Sequence, residues 1–360
     1  MANDFGHLFK LSSFGESHGD GVGVVVHGCP SGVKWDEQLL LSNLKRRAPG
    51  GSMLVSDRKE QDLPEILSGV FESVTLGTPI AMVVKNQNQR SADYDDIKTQ
   101  PRVGHADDVW KAKFDHVDHR GGGRSSGRET LARVLAGSVA EMFVKQSLPG
   151  VSIECFPSAI YDLVFASMEE FEASLSAQGA ESSFTALIEQ KSNLKNTSDN
   201  PSDLTSEEFK KIRNLRDLLI QAKELGESYG GVASVQVTGL PKGLGQPVFH
   251  KFKADLASAM LSIGSTSGFE IGDGFQNAIA KGSELHKQEN SKSYGGDSGG
   301  ITTGELLNFK VAFKPPSSVL DIAKKGRHDP CVVLRALPVV ESMTWLVIAD
   351  HLLWKRLDRV

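Results

Sequence analysis

The sequence predicts a protein of mixed helices and strands that is built from two related halves. Each half carries the same order of signals: an apolar strand pattern, a turn of the form GxPxG and a second apolar segment. These segments are 22–27, 28–32 and 66–71 in the first half, and 232–238, 239–243 and 270–275 in the second. The offset between copies is nearly constant, 211 residues for the turns and 204 for the final segments. We infer a repeated strand–turn–helix–strand unit, with chance recurrence of common turn residues as the alternative.

Helices are predicted at four places in the two halves. Asp36 suits an N-cap position, and the helix that follows it stops before Pro49. A second helix is predicted over 255–263, where the apolar residues fall on one face. The strongest pattern opens at Ser126 or Gly127 and has an apolar stripe made of Leu131, Val134, Leu135, Val139, Met142 and Phe143. The last predicted helix covers 343–357.

Composition limits the classes of function. The chain has 360 residues, of which 39% are hydrophobic and 24% charged, so it has enough apolar residues for a sizeable core. Its net charge of −5 disfavours a dedicated nucleic-acid binder. Neither a secretory signal nor an apolar run of about 20 residues is recognised, so we expect no membrane partner. Three widely spaced cysteines disfavour a disulfide scaffold and indicate a cytoplasmic protein.

Charge is distributed unevenly along the chain. Residues 162–229 carry a net charge of −6 and contain two helical patterns, 168–176 and 206–226. We predict one domain over 1–360, with a variable acidic insertion at about 160–228. Basic residues cluster beside glycines at 119–133 and 314–335, where arginine side chains and exposed amides suit a phosphate or carboxylate ligand. Ordinary solvated surface is the alternative for either cluster.

Two segments match the surroundings of a nucleophilic serine. Residues 15–19 (GESHG) fit the nucleophile elbow, which needs a strand, a sharp turn and a helix, whereas here a strand pattern follows. Residues 296–300 (GDSGG) match a segment of trypsin-like proteases, which are secreted and rich in disulfides. A serine hydrolase that uses Ser17 or Ser298 is therefore a weak alternative.

Two further motifs are incomplete. Residues 122–129 approach a P-loop but lack its lysine and its magnesium-binding hydroxyl, so we expect an anion-holding loop rather than nucleotide hydrolysis. Residues 116–119 (HVDH) supply two histidines without a third ligand, so no metal site is predicted.

The remaining polar residues form a coherent set. His18 and His105 lie in glycine-containing loops and supply two proton donors, and Asp329 supplies a carboxylate base. Histidine titrates near neutral pH and phosphate oxygens need neutralising, so this set suits acid-assisted loss of phosphate. The residues alone predict a cytoplasmic, anion-binding enzyme assisted by histidine. A non-catalytic anion-binding protein is the remaining alternative.

The chain resembles the chorismate synthase family in three signature regions. These are 14–19 (FGESHG), 120–130 (RGGGRSSGRET), and 325–331 (KGRHDPC) continuing to 335–341 (RALPVVE). Shorter matches follow in family order at 66–71, 89–94, 104–107, 270–275, 299–304 and 314–318. The resemblance implies 1,4-elimination of phosphate from 5-enolpyruvylshikimate 3-phosphate to give chorismate. It also implies an α+β fold with helices sandwiched between antiparallel sheets, and a homotetramer.

Residue roles also follow from the resemblance. His18 looks like the acid that protonates the departing phosphate, His105 the group that protonates the flavin, and Asp329 the base. Ser17 and Ser126 would hold these groups and relay protons. Substrate contacts are expected from Arg47, Arg102, Arg128 and Arg335. Flavin contacts are expected from Arg124, Ser125, Ser126, Gly264, Ser265, Gly299, Lys314, Pro315, Pro316, Ser317, Ser318 and Arg327.

The family requires reduced FMN (FMNH2), which this redox-neutral reaction does not consume. NADPH is an expected source of the reducing equivalents. The length leaves no room for a flavin reductase domain, so an external flavin reductase is the expected partner. Three departures from the family pattern concern the site: Ala48 and Met53 stand where arginines are usual, and the segment after Ser318 is short. We expect either a more open site or a rebuilt lid.

Overall fold

The structure, a computed structural model, describes residues 3–48, 62–86, 103–118, 120–161, 163–165, 219, 222–287, 293–319 and 329–359. The strands are β1 Asp4–Phe5, β2 Lys10–Phe14, β3 Gly21–His27, β4 Ser31–Lys34, β5 Glu65–Ser68, β6 Val70–Phe71, β7 Val74–Leu76, β8 Ile80–Lys85, β9 Ser152–Ile160, β10 Leu163–Val164, β11 Gly231–Thr238, β12 Thr266–Ile271, β13 Asp297–Ser298, β14 Ile301–Thr302 and β15 Leu307–Phe313. The α-helices are α1 Glu37–Arg47, α2 Asp107–Phe114, α3 Thr130–Ser147, α4 Phe252–Leu261, α5 Gly282–Leu285 and α6 Val333–Lys355.

Two five-stranded antiparallel sheets have the same order in four of their five strands. The first sheet runs β1-β2-β3-β8-β5 and the second runs β10-β9-β11-β15-β12. In the first half, α1 leads from β3 to β5 and β8 inserts between them; in the second, α4 leads from β11 to β12 and β15 inserts between them. The predicted repeat is thereby confirmed, and its two apolar strand patterns are β3 and β11.

A layer of helices separates the two sheets. Helix α3 packs on β2 and β3 of the first sheet, α6 packs on β9 and β11 of the second, and the two helices pack against each other. Gly137 of α3 lies so close to Ser342 of α6 that an added Cβ would stand 2.3 Å from the serine Cβ. The close crossing therefore depends on glycine. This sheet–helix–helix–sheet order confirms the α+β sandwich.

The helical layer is the core of the protein. The apolar residues of the predicted α3 stripe are all buried, as is nearly every residue between Val333 and Leu352 of α6. Buried hydroxyls in this layer bond to a carbonyl one turn earlier; Ser138 donates to Val134 and Thr344 to Val340, both at 2.8 Å. Such bonds satisfy the hydroxyl without a partner on another element.

Helix α6 begins ten residues before the predicted start at 343. The added turns include Pro338, a residue that normally ends a helix because it lacks an N–H donor. Burial on both sides keeps them helical, since Val339 and Val340 are 2% and 0% exposed. The helix is also long and apolar enough to cross a bilayer, which the sequence did not lead us to expect. However, 89% of its most apolar window is buried in the fold, as in the core helix of a soluble protein.

Other boundaries differ only slightly from the prediction. Helix α1 has Asp36 as its N-cap, whose carboxylate accepts the N–H of Leu39 at 2.9 Å. Helix α4 begins at Phe252, three residues before the predicted start. A 3₁₀ turn at Gly127–Glu129 precedes α3. Of the two predicted acidic helices, 168–176 and most of 206–226 lie outside the described residues, and 222–225 is helical.

Candidate active site

His18 is buried in the loop that joins β2 to β3. It is 5% exposed, and its Nδ1 lies 3.3 Å from Oγ of Ser17, which is also buried. The backbone N–H of Ser17 donates to the carbonyl of Gly123 at 3.3 Å. The glycine-rich segment 121–123 therefore covers the loop that holds His18.

The three glycines at 121–123 are needed for this contact. All three have positive φ angles, a backbone conformation that side chains with a Cβ rarely adopt. A Cβ on Gly121 would stand 1.9 Å from Nδ1 of His18. A larger residue there would displace the imidazole, so the glycine run shapes the histidine site.

The serines and arginine after the glycines fix the same loops. Arg124 donates to the carbonyl of Gly15 at 3.1 Å and to Oγ of Ser13 at 2.6 Å. Ser125 donates to the carbonyl of Gly122 at 2.7 Å, and Oγ of Ser126 accepts the N–H of Arg128. These predicted flavin residues thus hold the glycine loop against the His18 loop.

Two arginines share one buried carboxylate beside this loop. Arg47 donates to Oδ2 of Asp62 at 3.0 Å, and Arg128 donates to Oδ1 at 2.6 Å. The side chains are only 2%, 3% and 7% exposed for Arg47, Asp62 and Arg128. The cluster brings two guanidinium groups to one carboxylate at a place where solvent screens their charges little. Such a group attracts an anion.

Asn86 connects the arginines to the histidine loop. Its Oδ1 accepts from Nε of Arg128 at 3.2 Å, and its Nδ2 donates to the carbonyls of Glu16 and Gly19, which flank His18, at 3.2 and 2.8 Å. The sequence did not indicate Asn86 or Asp62. The sequence offered only weak signals for them. Asn86 is a polar residue directly after the apolar strand β8, and Asp62 is an acidic residue shortly before β5.

Asp329 and Arg335 join the same network from the start of α6. Arg335 forms an ion pair with Asp329, and its Nε donates to the backbone carbonyl of Arg47 at 3.3 Å. Both side chains are largely buried, at 13% exposure for Asp329 and 23% for Arg335. One hydrogen-bonded network therefore runs from the His18 loop through both buried arginines to Asp329.

His105 belongs to a second group of predicted residues. Its Nδ1 lies 2.6 Å from Oδ1 of Asp107. Lys314 donates through Nζ to the carbonyl of Gly104 at 2.7 Å, and its backbone N–H donates to the carbonyl of Ser265 at 2.8 Å. Gly104 also lies beside Ser317, whose Oγ would be 3.5 Å from a Cβ at 104. The structure thus brings His105 to the segments 264–265 and 314–318.

Two hydrogen bonds to backbone carbonyls place the second group next to Asp329. Ser228 donates to the carbonyl of Pro316 at 2.8 Å, and the N–H of Tyr229 donates to the carbonyl of Pro330 at 2.7 Å. Ser228 therefore contacts the 314–318 segment, and its neighbour Tyr229 contacts Pro330, the residue after Asp329. The segments that carry the predicted acid, the predicted base and the predicted flavin contacts meet at this end of the helical layer.

The flavin segments have features that suit a flat anionic cofactor. A Cβ on Gly264 or on Gly299 would meet no atom within 4 Å, so the backbone at both glycines borders open space. Lys314 supplies a cation, and Pro315 and Pro316 stiffen the chain between it and Ser317. Lys314, Ser265 and Ser317 fit FMN by charge and hydrogen-bonding capacity.

One predicted flavin residue, Gly299, is not brought into this group. The hairpin that carries Gly299 is tied to the start of α4, where the N–H of Phe252 donates to the carbonyl of Gly300 at 2.8 Å. Ser265 follows the other end of α4, which is about 15 Å away at 1.5 Å per residue. Arg102 and Arg327 lie outside the described residues, as do Met53 and His119.

Comparisons with known proteins identify the family. The model of the family described as chorismate synthase matches residues 9–353. The chorismate synthase of Bdellovibrio bacteriovorus is 50% identical over 362 residues, covering 100% of this chain and 99% of the relative. That of Parabacteroides distasonis is 38% identical over 374 residues, covering 98% of each. The chain belongs to the chorismate synthase family.

A solved structure supports the same family. The structure titled "Crystal Structure of Chorismate Synthase" matches with a TM-score of 0.69 and 29% identity, covering 97% of this chain and 93% of that chain. The protein is therefore a carbon–oxygen lyase with chorismate synthase activity, of a family that serves aromatic amino acid biosynthesis. The resemblance, fold class and activity predicted from the sequence are confirmed.

The serine-nucleophile alternatives do not fit the geometry. Ser17 is followed by strand β3, whereas a nucleophile elbow leads into a helix. Ser298 stands on the short hairpin β13–β14, where the neighbouring Asp297 pairs with Lys253 at 3.2 Å.

Proposed function

We propose that the chain eliminates phosphate from 5-enolpyruvylshikimate 3-phosphate where the His18 loop, the buried arginines and Asp329 meet. The observation that carries the proposal is the Arg47–Asp62–Arg128 cluster, which is buried, brings two guanidinium groups together and is linked through Asn86 to the loop of His18. A phosphorylated dicarboxylate needs such a site. Arg335 supplies a further cation at its edge, and Arg102 is proposed for the same role.

His18 is the proposed acid for the departing phosphate. Water reaches its imidazole little, because the glycine segment 121–123 covers it and Ser17 lies at 3.3 Å. A bound phosphate dianion favours the charged form of an adjacent histidine. Ser17 holds the ring from one side and the position of Gly121 limits it on the other, so the proton is presented in one direction.

Asp329 is the proposed base for the ring hydrogen, acting with the bound cofactor. Its ion pair with Arg335 fixes the carboxylate, and Arg335 is itself anchored on the backbone of Arg47. His105, held by Asp107, is proposed to donate a proton or hydrogen bond to the reduced flavin. Ser126 maintains the loop between these groups.

Reduced FMN, when bound, supplies electron density for breaking the carbon–oxygen bond without net oxidation or reduction. We propose that Lys314, Ser317, Ser318 and Ser265 hold it, together with Arg124, Ser125, Ser126, Gly264, Pro315, Pro316 and Arg327. NADPH is the proposed source of its electrons, delivered by an external flavin reductase.

We further propose a single domain over 1–360 that assembles as a homotetramer in the cytoplasm, without nucleic-acid or membrane partners. The acidic segment at about 160–228 is proposed as a peripheral insertion. Exposed aromatic and aliphatic side chains support an assembly surface: Phe249 is 87% exposed, Ile279 82% and Phe275 77%. Light scattering on the purified protein tests the tetramer, and a monomer at all concentrations would contradict it.

The test of the proposed function is anaerobic phosphate release. Purified protein with substrate and dithionite-reduced FMN should release phosphate and form a product with chorismate absorbance, whereas oxidised FMN should give neither. A control without protein corrects for spontaneous loss. Equal release with oxidised and reduced FMN would overturn the proposal.

A further inference from the structure

A cluster of histidines and carboxylates lies far from the candidate active site. Ring nitrogens of His7 and His250 and a carboxylate oxygen of Asp255 all lie within 4.8 Å of one another. Helix α6 runs between this cluster and the catalytic region, with Arg335 near its start and Trp354 near its end. These two positions are about 28 Å apart along the helix axis. The cluster has no part in the proposed elimination.

The three side chains come from parts of the chain that meet only in the fold. His7 precedes β2, His250 precedes α4, and Asp255 stands in the first turn of α4. The loop of His7 is fixed by the buried carboxylate of Asp350, which accepts the N–H groups of residues 7, 8 and 9 at 2.9, 2.6 and 2.8 Å. The backbone of His7 is therefore held in place before any ligand binds.

The rings are also oriented by stacking. The ring of His7 stacks on Trp354 with centroids 4.9 Å apart, and His250 meets His7 edge-on at 4.2 Å. Nδ1 of His250 lies 3.2 Å from Oδ1 of Asp255. Zinc held at about 2.0–2.1 Å by tetrahedral ligands requires ligand atoms about 3.3 Å apart. The His250–Asp255 pair already has that spacing.

A buried histidine supports Asp255 from behind. His351 is 1% exposed, and its Nε2 lies 3.0 Å from Oδ2 of Asp255. The angle is poor for a hydrogen bond, so both ring nitrogens of His351 lack a well-aligned partner among the described residues. Ligand carboxylates in metal sites are commonly held in this way by a second group.

We propose that His7, His250 and Asp255 bind a divalent borderline metal ion, with Zn²⁺ as the best match. Two imidazole nitrogens and one carboxylate oxygen form a donor set suited to zinc. His7 is exposed, so its side chain has room to adjust toward the ion, and water would complete the tetrahedron from the solvent side. His351 is a positioning residue that holds Asp255. The ion would tie the N-terminal segment to α4 and to the end of α6.

The test measures zinc binding by the full-length protein, freed of any affinity tag and treated with EDTA. Isothermal titration with Zn²⁺ alone should detect one site per chain that is lost or weakened at least ~10-fold in His7→Gln and in His250→Gln. His286→Gln is the matched control, since His286 is also exposed but bonds to Tyr294 elsewhere. It should bind zinc like the wild type.

A second readout separates ligation from general destabilisation. Co²⁺ in a tetrahedral nitrogen–oxygen site gives visible absorption bands, and these should be present in the wild type and in His286→Gln but absent in His7→Gln. Phosphate release should be equal in all of them, because the cluster lies far from Arg335. The proposal is overturned if the wild type binds no zinc, or if His7→Gln and His250→Gln bind it as tightly as the wild type.

Discussion

The backbone of Gly121 lies directly against the imidazole of His18, so close that a Cβ at 121 would stand 1.9 Å from Nδ1. The glycine thereby determines where the histidine ring sits. Replacement by alanine should move the ring and also strain the backbone, since φ at 121 is +60°. A displacement of about 1 Å in a catalytic group can reduce the rate by ~10²-fold. We therefore expect Gly121→Ala to fold and to release phosphate about 100 times more slowly. Gly282→Ala, which makes only ordinary contacts, is the control, and comparable rates for the two variants would refute the prediction.

Asp62 is expected to stabilise the fold because its carboxylate pairs with two buried arginines. In Asp62→Asn the guanidinium groups of Arg47 and Arg128 stay buried without their shared negative charge. Breaking a buried pair in this way typically costs about 3–5 kcal/mol. Urea unfolding should show a loss of this size. Glu65→Gln removes an exposed partner of Lys85 and should change the unfolding free energy little. A loss for Asp62→Asn no larger than that of Glu65→Gln would contradict the buried cluster.

The crossing of α3 and α6 should be sensitive to one methyl group. A Cβ at Gly137 would stand 2.3 Å from the Cβ and 2.6 Å from the Cα of Ser342, and the backbone cannot move aside without shifting a helix. Overpacking of a core usually costs about 1–3 kcal/mol. Thermal melts should show that Gly137→Ala is destabilised, while Gly150→Ala, which has open space around it, is not. Equal melting temperatures would show that the helices are further apart than described.

The three cysteines should remain unreactive while the protein is folded. Burial raises the pKa of Cys29 to about 11 and that of Cys331 to about 12, and it also raises the pKa of Cys155. Thiol reagents should therefore label no cysteine at pH 8 until denaturant is added.

The folded-state pKa values exceed the unfolded value of 9.0, so above pH 9 the thiols ionise more readily in the unfolded chain than in the folded protein. The free energy of unfolding should therefore be unaffected by these thiols below pH 9 and should decrease as the pH rises toward 12. Rapid labelling at pH 8 in the folded state would contradict this burial.

The local signals in the sequence predicted the elements well, and tertiary packing explains the misses. Asp36 and Pro49 bracket α1, and the period of the α3 stripe matches its buried face. The start of α6 was missed because Pro338 lies within it, and only burial between two sheets keeps that segment helical.

For the candidate site, the signature motifs contain His18, Asp329, Arg128 and Arg335. Asp62 and Asn86 had no spacing that links them to those motifs, although in the fold they connect Arg47, Arg128 and the His18 loop. The His7, His250 and Asp255 cluster was invisible for the same reason, since its first two members are 243 residues apart in the chain and meet only in the folded protein.

The central claim is that His18 and Asp329 act in one site on one phosphorylated substrate, and single-turnover phosphate release tests it most directly. With reduced FMN and saturating substrate under anaerobic conditions, His18→Ala and Asp329→Ala should each release phosphate at least ~10²-fold more slowly than the wild type, while circular dichroism and FMN binding stay unchanged. Near-normal release by either folded variant would remove that residue from the chemistry, and near-normal release by both would contradict the account.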